Sequence, residues 1–192
     1  MILTPAEVES LVKALHASPH QLLGMHPLRD GSGLVVRALL QNAATVEAVP
    51  VHEPTKPRIL LQRVDECGLF EGTTQDASRV YAYDLIITDY AGNVRRTRDA
   101  YSFWPSLGET DLYLFGQGNE RRIYDKLGAQ LREADGVPGV SFAVWAPQAQ
   151  RVSVVGPFNG WDGRYHPMRR LGASGVWELF VPGLGEGTLY KI

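Results

Sequence analysis

Cysteine is almost absent from this sequence, in which Cys67 is the single example among 192 residues. One cysteine excludes a disulfide within the chain, so a reducing compartment fits best and we expect a cytoplasmic protein. Nothing near Cys67 marks it as a catalytic thiol.

Long apolar runs and an excess of positive charge are also lacking. No apolar stretch is long enough to span a membrane, and no basic segment of a signal peptide opens the chain. The formal net charge is −2, so the chain has no basic footprint for nucleic acid. We therefore expect neither a membrane nor a nucleic acid among its partners.

The composition and patterning that are present indicate a mainly β protein. Apolar residues make up 44% of the chain, and its 20 glycines and 12 prolines indicate many turns. Thr4 and Glu7 form a capping-box pattern that predicts a short leading helix with an apolar stripe reaching Leu15. Short apolar segments bounded by turns then predict a β-sandwich with strands at 34–40, 45–51, 59–64, 68–71, 80–88 and 94–98.

The chain also repeats itself. Residues 33–49 align without a gap on 139–155, at an offset of 139 − 33 = 106. The Gly-Leu-Phe-Glu segment that begins at Gly68 aligns on the Gly-Val-Trp-Glu segment that begins at Gly175, and Tyr83 aligns on Tyr190, both at an offset of 107 (175 − 68 and 190 − 83). We interpret this as two copies of one sandwich topology; two unrelated sandwiches with similar strand patterns are the alternative.

The second copy carries the most distinctive stretch, residues 139–163. Its pattern predicts a hairpin of strands 140–146 and 151–155, which Gly156-Pro157 ends. The loop that follows, residues 158–163, sets two aromatic residues among turn formers. Its tryptophan, Trp161, is either a lid over the core or a platform that faces solvent. The aligned loop of the first copy, residues 51–57, has no aromatic residue.

These residues resemble a known family. The pattern Val-Trp-Ala-Pro-x-Ala-x-x-Val-x-Val-Val-Gly-x-Phe-Asn-x-Trp at 144–161 is similar to the start of a family 48 carbohydrate-binding module. His166-Pro167-Met168-Arg169 and Leu23-Gly24-Met25-His26-Pro27 resemble glycogen branching enzymes in particular. The resemblance covers nearly the whole chain, with Ala100 and Pro157 as departures from the family pattern.

The resemblance implies a function and a set of site residues. Branching enzymes cleave an α-1,4-glucan and rejoin the piece through an α-1,6 bond on a (β/α)₈ barrel without a redox cofactor; we expect no cofactor here. A barrel takes about 250 residues, so we assign no catalytic residue to this chain and expect it to be the N-terminal part of such an enzyme. Trp161, Asn159 and Lys191 match the family's sugar-contacting positions, so the implied partners are α-1,4-glucans (glycogen, amylose and malto-oligosaccharides) and the catalytic barrel.

The expected architecture is therefore mainly β, with two tandem immunoglobulin-like β-sandwiches and short connecting helices. We expect an N-terminal domain at 1–106, a linker with a helix at 119–133 inside 107–138, and an incomplete second sandwich at 139–192. Trp145 and Trp177 lie within strands and are expected in the core. Two other functions stay open: a stand-alone glucan-binding module and a purely structural sandwich pair.

Overall fold

The computed structural model describes residues 2–192 as two compact units. The first unit comprises the chain up to Lys13 together with His20–Ser102, and the second comprises Ala14–Pro19 together with Phe103–Ile192. Both units are built mainly from β-strands, as the sequence predicted. No helix among the described residues has the length and apolarity needed to cross a membrane.

The first unit is a seven-stranded antiparallel sheet preceded by one short helix. Helix α1, Pro5–Val12, begins at the predicted capping box, in which Thr4 and Glu7 satisfy each other's backbone N–H groups. It ends at Val12, so Leu15 lies outside it and is exposed. The strands are β1 Gly24–Pro27, β2 Leu34–Leu39, β3 Ala43–Pro50, β4 Ile59–Asp65, β5 Leu69–Thr74, β6 Tyr83–Asp89 and β7 Val94–Arg98.

One apolar core joins strands β1 to β6. The order of all seven strands in the sheet is β1-β2-β5-β4-β3-β6-β7. Alternate side chains point inward, as strand geometry requires: Tyr83, Leu85 and Ile87 of β6 are buried. Leu34 and Phe70 join the same cluster from β2 and β5. The apolar residues that produced the alternating pattern in the sequence are therefore the ones that hold this unit together.

The second unit is a four-stranded antiparallel sheet with a helix packed on it. Its strands are β8 Gly128–Ala134, β9 Val137–Trp145, β10 Arg169–Arg170 and β11 Val176–Pro182, in the order β10-β11-β9-β8. Helix α2, Glu109–Gly116, brings Leu112 and Phe115 against the buried residues Leu107, Ala143, Leu171 and Val176.

The predicted repeat appears in the strand pairing. In the first unit Leu34 pairs with Thr74; the offsets 34 + 106 = 140 and 74 + 107 = 181 give Val140 and Val181, which pair in the second unit. Likewise Val49 pairs with Asp84, and 49 + 106 = 155 and 84 + 107 = 191 give the bridge between Val155 and Lys191. Each unit thus contains its own version of these two antiparallel pairs, in the same register.

Two local predictions for the second unit are wrong. Residues 119–133 do not form a helix; they hold a short 3₁₀ turn, Ile123–Asp125, and most of strand β8. Strand β9 pairs with β11 and β8, so the predicted hairpin between 140–146 and 151–155 does not form. Strand β8 belongs to this sheet, and all of the stretch predicted as a linker, residues 107–138, lies within the second unit.

Candidate functional site

The loop after Val155 is shaped by residues that favour tight turns. Pro157–Asn159 forms a single 3₁₀ turn. Pro157 stands at its first position, where a backbone N–H would have no partner inside the turn. Gly160 follows in the left-handed conformation (φ 61°). This Asn-Gly turn was the one predicted from the sequence.

Trp161 lies at the exposed end of this loop. Its side chain is 47% exposed, so the ring is a partly solvent-facing surface and not a member of the core. Its own φ is +62°, a left-handed conformation that costs a non-glycine residue about 1–3 kcal/mol unless its surroundings impose it. The backbone N–H of Trp161 donates to the carbonyl of Gly156 at 2.9 Å, which is one contact that holds it there.

Lys191 lies beside this ring. Its backbone exchanges two hydrogen bonds of 2.9 Å with Val155, the residue that leads into the loop. Its Nζ is 5.9 Å from the centroid of the Trp161 ring, which is within the range of a cation–π contact. Of the three site residues predicted from the sequence, the structure therefore brings two, Trp161 and Lys191, together at the surface.

The third predicted residue, Asn159, occupies a different position. It is only 3% exposed. Its Oδ1 accepts from the backbone N–H of Gly156 at 2.9 Å, and its Nδ2 lies 3.0 Å from both the carbonyl of Val154 and Nδ1 of His166. With both amide hydrogens directed at protein acceptors, Asn159 holds the loop from beneath and has no hydrogen left for a sugar hydroxyl.

Charge around the loop is balanced locally. Asp162 accepts from the Arg164 guanidinium, and the two form an ion pair with side chains 23% and 47% exposed. The hydrogen bond from Arg164 lowers the pKa of the Asp162 carboxyl below its ordinary value. The charges of Asp162 and Arg164, which follow Trp161 in the sequence, thus neutralise each other. The Lys191 ammonium lies over the Trp161 ring.

The two tryptophans expected in the core differ from each other. Trp177 is 1% exposed and its Nε1–H donates to the carbonyl of Ala146 at 3.0 Å, which confirms that prediction. Trp145 is 56% exposed and touches Phe115 edge to face, so its placement in the core was wrong. It is the last residue of β9, and burial along this strand ends just before it, with Val144 half-buried and Trp145 exposed.

His166 was also missed as part of the site. Its ring packs edge to face on Phe158, with centroids 5.3 Å apart, in addition to its contact with Asn159. In the sequence, the His166-Pro167-Met168-Arg169 run indicated only a family resemblance.

The site as a whole offers an aromatic face and an ammonium group, the two kinds of group that recognise the apolar C–H face and the polar rim of a sugar ring. No group of three or more metal-ligating side chains occurs within residues 2–192.

Comparisons with known proteins agree with the motifs. Residues 4–101 match the family described as "alpha-1,4-glucan branching enzyme GlgB, N-terminal domain", and residues 126–192 match "Carbohydrate-binding module 48 (Isoamylase N-terminal domain)". The 1,4-alpha-glucan branching enzyme GlgB of Myxococcus xanthus is 46% identical over 97% of this chain and 24% of its own length. The corresponding Pseudomonas fluorescens enzyme is 49% identical over 98% and 24%.

The chain therefore spans about a quarter of the length of these curated relatives. Among solved structures, the catalytic module of SpuA, a glycogen-degrading pneumococcal virulence factor, aligns with 56% of this chain and 16% of its own, at 16% identity and a TM-score of 0.37.

Proposed function

The chain belongs to the family of N-terminal domains of the alpha-1,4-glucan branching enzyme GlgB, and from this we propose that it serves as the glucan-binding and supporting region of such an enzyme. The enzyme would form α-1,6 branches in α-1,4-glucan during glycogen synthesis in the cytoplasm. We assign the cleaving and rejoining steps to residues outside these 192, because the relatives are about four times as long.

The observation that carries the binding part of this proposal is the half-exposed ring of Trp161 beside the Lys191 ammonium. A glucose ring would stack on the indole, and the ammonium would donate to its hydroxyls. Asn159 enters the proposal as a residue that shapes the loop, since its amide is buried and bonded to protein. A small, open site of this kind should bind weakly, with a Kd on the order of 1 mM.

An NMR titration with maltoheptaose tests this function. We expect Trp161→Ala to weaken binding by about 5–30-fold, below detection, because it removes the stacking surface. The melting temperature should stay near the parent value, since the side chain is half exposed. Trp104→Ala is the matched control, because it removes an indole that is 85% exposed, and it should bind like the parent. Unchanged binding in Trp161→Ala would exclude that residue from the site.

Two other functions would give different outcomes. A purely structural sandwich pair would show no chemical-shift changes in a maltoheptaose titration that reaches about ten times the expected Kd. A stand-alone binding module would bind, but its gene would end at Ile192. A gene that continues in frame into a catalytic barrel would support the branching-enzyme proposal. We further expect this 192-residue chain by itself to form no α-1,6 bonds in amylose above a blank.

A further inference from the structure

The orientation of the Asn159 amide is fixed by two backbone groups of opposite character. The N–H of Gly156 can only donate, so the atom 2.9 Å from it is the amide oxygen. The carbonyl of Val154 can only accept, so the atom 3.0 Å from it is the amide nitrogen. An Asn side chain is often ambiguous between its two orientations, but here the backbone decides.

This orientation determines the tautomer of His166. The Asn159 Nδ2 donates at 3.0 Å to Nδ1 of His166, and Nδ1 can accept only while it carries no proton. The imidazole therefore has its proton on Nε2. We propose that His166 in this neutral form is a positioning residue for the Trp161 loop, acting through Asn159; this inference rests on the proposed glucan site.

The path from His166 to Trp161 runs through the backbone of Gly156, whose N–H and carbonyl lie on the two peptide groups that flank its Cα. Asn159 holds the Gly156 N–H, while the Gly156 carbonyl accepts from the N–H of Trp161 at 2.9 Å. Gly156 permits this close packing because it has no side chain: a Cβ there would lie 2.4 Å from Cε1 of Phe158 and 2.5 Å from the carbonyl of Leu189. The N–H of Trp161, whose backbone is left-handed, is therefore held by the residue that Asn159 and His166 fix from the other side.

The backbone of His166 is anchored independently of its side chain. Its carbonyl accepts from the N–H of Val154 at 3.1 Å, and Met168 donates to the carbonyl of Val152 at 2.9 Å. A change of the side chain alone should therefore leave these main-chain pairings intact. This allows side-chain variants at 166 to be tested in a folded protein.

Two variants separate the acceptor from the ring. His166→Phe keeps an aromatic ring for Phe158 but removes the acceptor, and we expect maltoheptaose binding to weaken by about 2–10-fold, the effect of one net hydrogen bond. His166→Asn places an amide oxygen close to the former Nδ1 position and should restore binding to within about twofold of the parent. A residue that only filled space would behave in the opposite way, with Phe tolerated and Asn not; that result would overturn the proposal.

A second measurement does not depend on glucan. Long-range ¹H–¹⁵N spectra of the five imidazoles, with His166 assigned by the signal that disappears in His166→Asn, should show an Nε2-protonated tautomer. The amide of Trp161 should also exchange faster with solvent in His166→Phe than in the parent. An Nδ1-protonated tautomer, or unchanged exchange, would contradict the positioning role. If the parent binds no glucan while both of these results hold, the proposed function fails and the positioning role stands.

Discussion

The carboxylate of Glu178 accepts hydrogen bonds from the backbone N–H of Ser106, 72 residues earlier, at 2.8 and 3.1 Å. Glu178 lies on β11 and is fully buried. Its neighbour on β10 is Arg169, whose guanidinium lies 3.7 Å from the carboxylate and donates to the carbonyl of Phe103 at 2.9 Å. These two charged residues of the sheet therefore hold residues 103–106 of the second unit.

Removal of this carboxylate should destabilise the second unit strongly. Glu178→Ala leaves the Arg169 charge buried without its partner and the Ser106 N–H without its acceptor, so we expect a loss of about 3–5 kcal/mol. All four tryptophans lie between Trp104 and Trp177 in this unit, so urea unfolding followed by indole fluorescence reports on it alone. Glu133→Ala, at an exposed position on β8, is the control and should change stability by less than about 0.5 kcal/mol. Equal effects would mean that the pair is not a structural anchor.

Most strands of the first unit could be predicted because local pattern and packing agree there. Strand β7, Val94–Arg98, matches its predicted bounds, and the turn before it is closed by the Asp89 carboxylate, which accepts from the N–H groups of Ala91 and Asn93.

In the second unit, local helix preference and strand pairing disagree. Residues 129–134 are good helix formers, but Asp135 and Gly136, both at positive φ, turn β8 back onto β9. Tertiary pairing overrode helix propensity, and Asp-Gly was the turn signal that indicated it.

The candidate site could be predicted in part for a related reason. The family resemblance indicated Trp161 and Lys191, and the strand bridge between Val155 and Lys191 places these two side chains next to each other. The role of Asn159 depends on where its amide points, which is set by the Gly156 and Val154 backbone. A sequence pattern cannot distinguish an amide that binds a sugar from one that binds its own loop.

Asp84 should make the first unit sensitive to acid. Its carboxylate accepts from Arg98 at 2.8 Å and Arg96 at 2.7 Å. Burial alone would raise the pKa of Asp84, but the two arginine hydrogen bonds outweigh it and hold this pKa below the ordinary value of 3.8. A lowered carboxyl pKa means that the stabilisation is fully present above pH 3.8 and is lost as the pH falls through the folded-state pKa.

The variant Asp84→Asn tests this dependence, because an amide keeps the shape and never carries the charge. We expect it to be less stable than the parent by about 1–2 kcal/mol at pH 7, with the difference shrinking as the pH falls below 3.8. Urea unfolding of the first unit, followed by hydrogen exchange of β6 and β7 amides, measures it. A difference that stays constant between pH 7 and pH 2.5 would show that the charge of Asp84 does not stabilise the fold.

Gly68 should tolerate no side chain. It has a φ of +92°, and a Cβ there would lie 2.1 Å from the carbonyl oxygen of Leu40. The same glycine accepts from the N–H of Leu40 at 2.9 Å, so the two backbones cannot separate without breaking that bond. Gly92, with a φ of +87° and open space around it, is the matched control. We expect Gly68→Ala to lose at least about 2 kcal/mol and Gly92→Ala about 1 kcal/mol, the effect of φ alone. Urea unfolding followed by circular dichroism measures both, and equal losses would contradict the steric argument.

Lys191 should contribute to glucan binding through its place beside the Trp161 ring. The ammonium lies 5.9 Å from the ring centroid, near the outer limit of a cation–π contact. We expect the ammonium to donate to a sugar hydroxyl while it stays beside the ring. We expect Lys191→Gln to weaken maltoheptaose binding by about 2–5-fold, equivalent to about 0.5–1 kcal/mol. The fold should be preserved, because the bridge from Lys191 to Val155 uses only backbone atoms.

A double-mutant cycle shows whether the two residues act together. The cycle compares Lys191→Gln in the parent and in Trp161→Phe, whose smaller ring leaves binding weak but measurable. If ammonium and indole hold the same sugar, Lys191→Gln should weaken maltoheptaose binding less in the Trp161→Phe background than in the parent, with a coupling of about 0.5 kcal/mol or more.

Lys56→Gln, in the first unit, controls for the lost positive charge and should leave the Kd unchanged. Tighter binding in Lys191→Gln would show that the ammonium covers the ring in the free protein and competes with the sugar. Additive effects would mean that the two side chains contact the glucan independently.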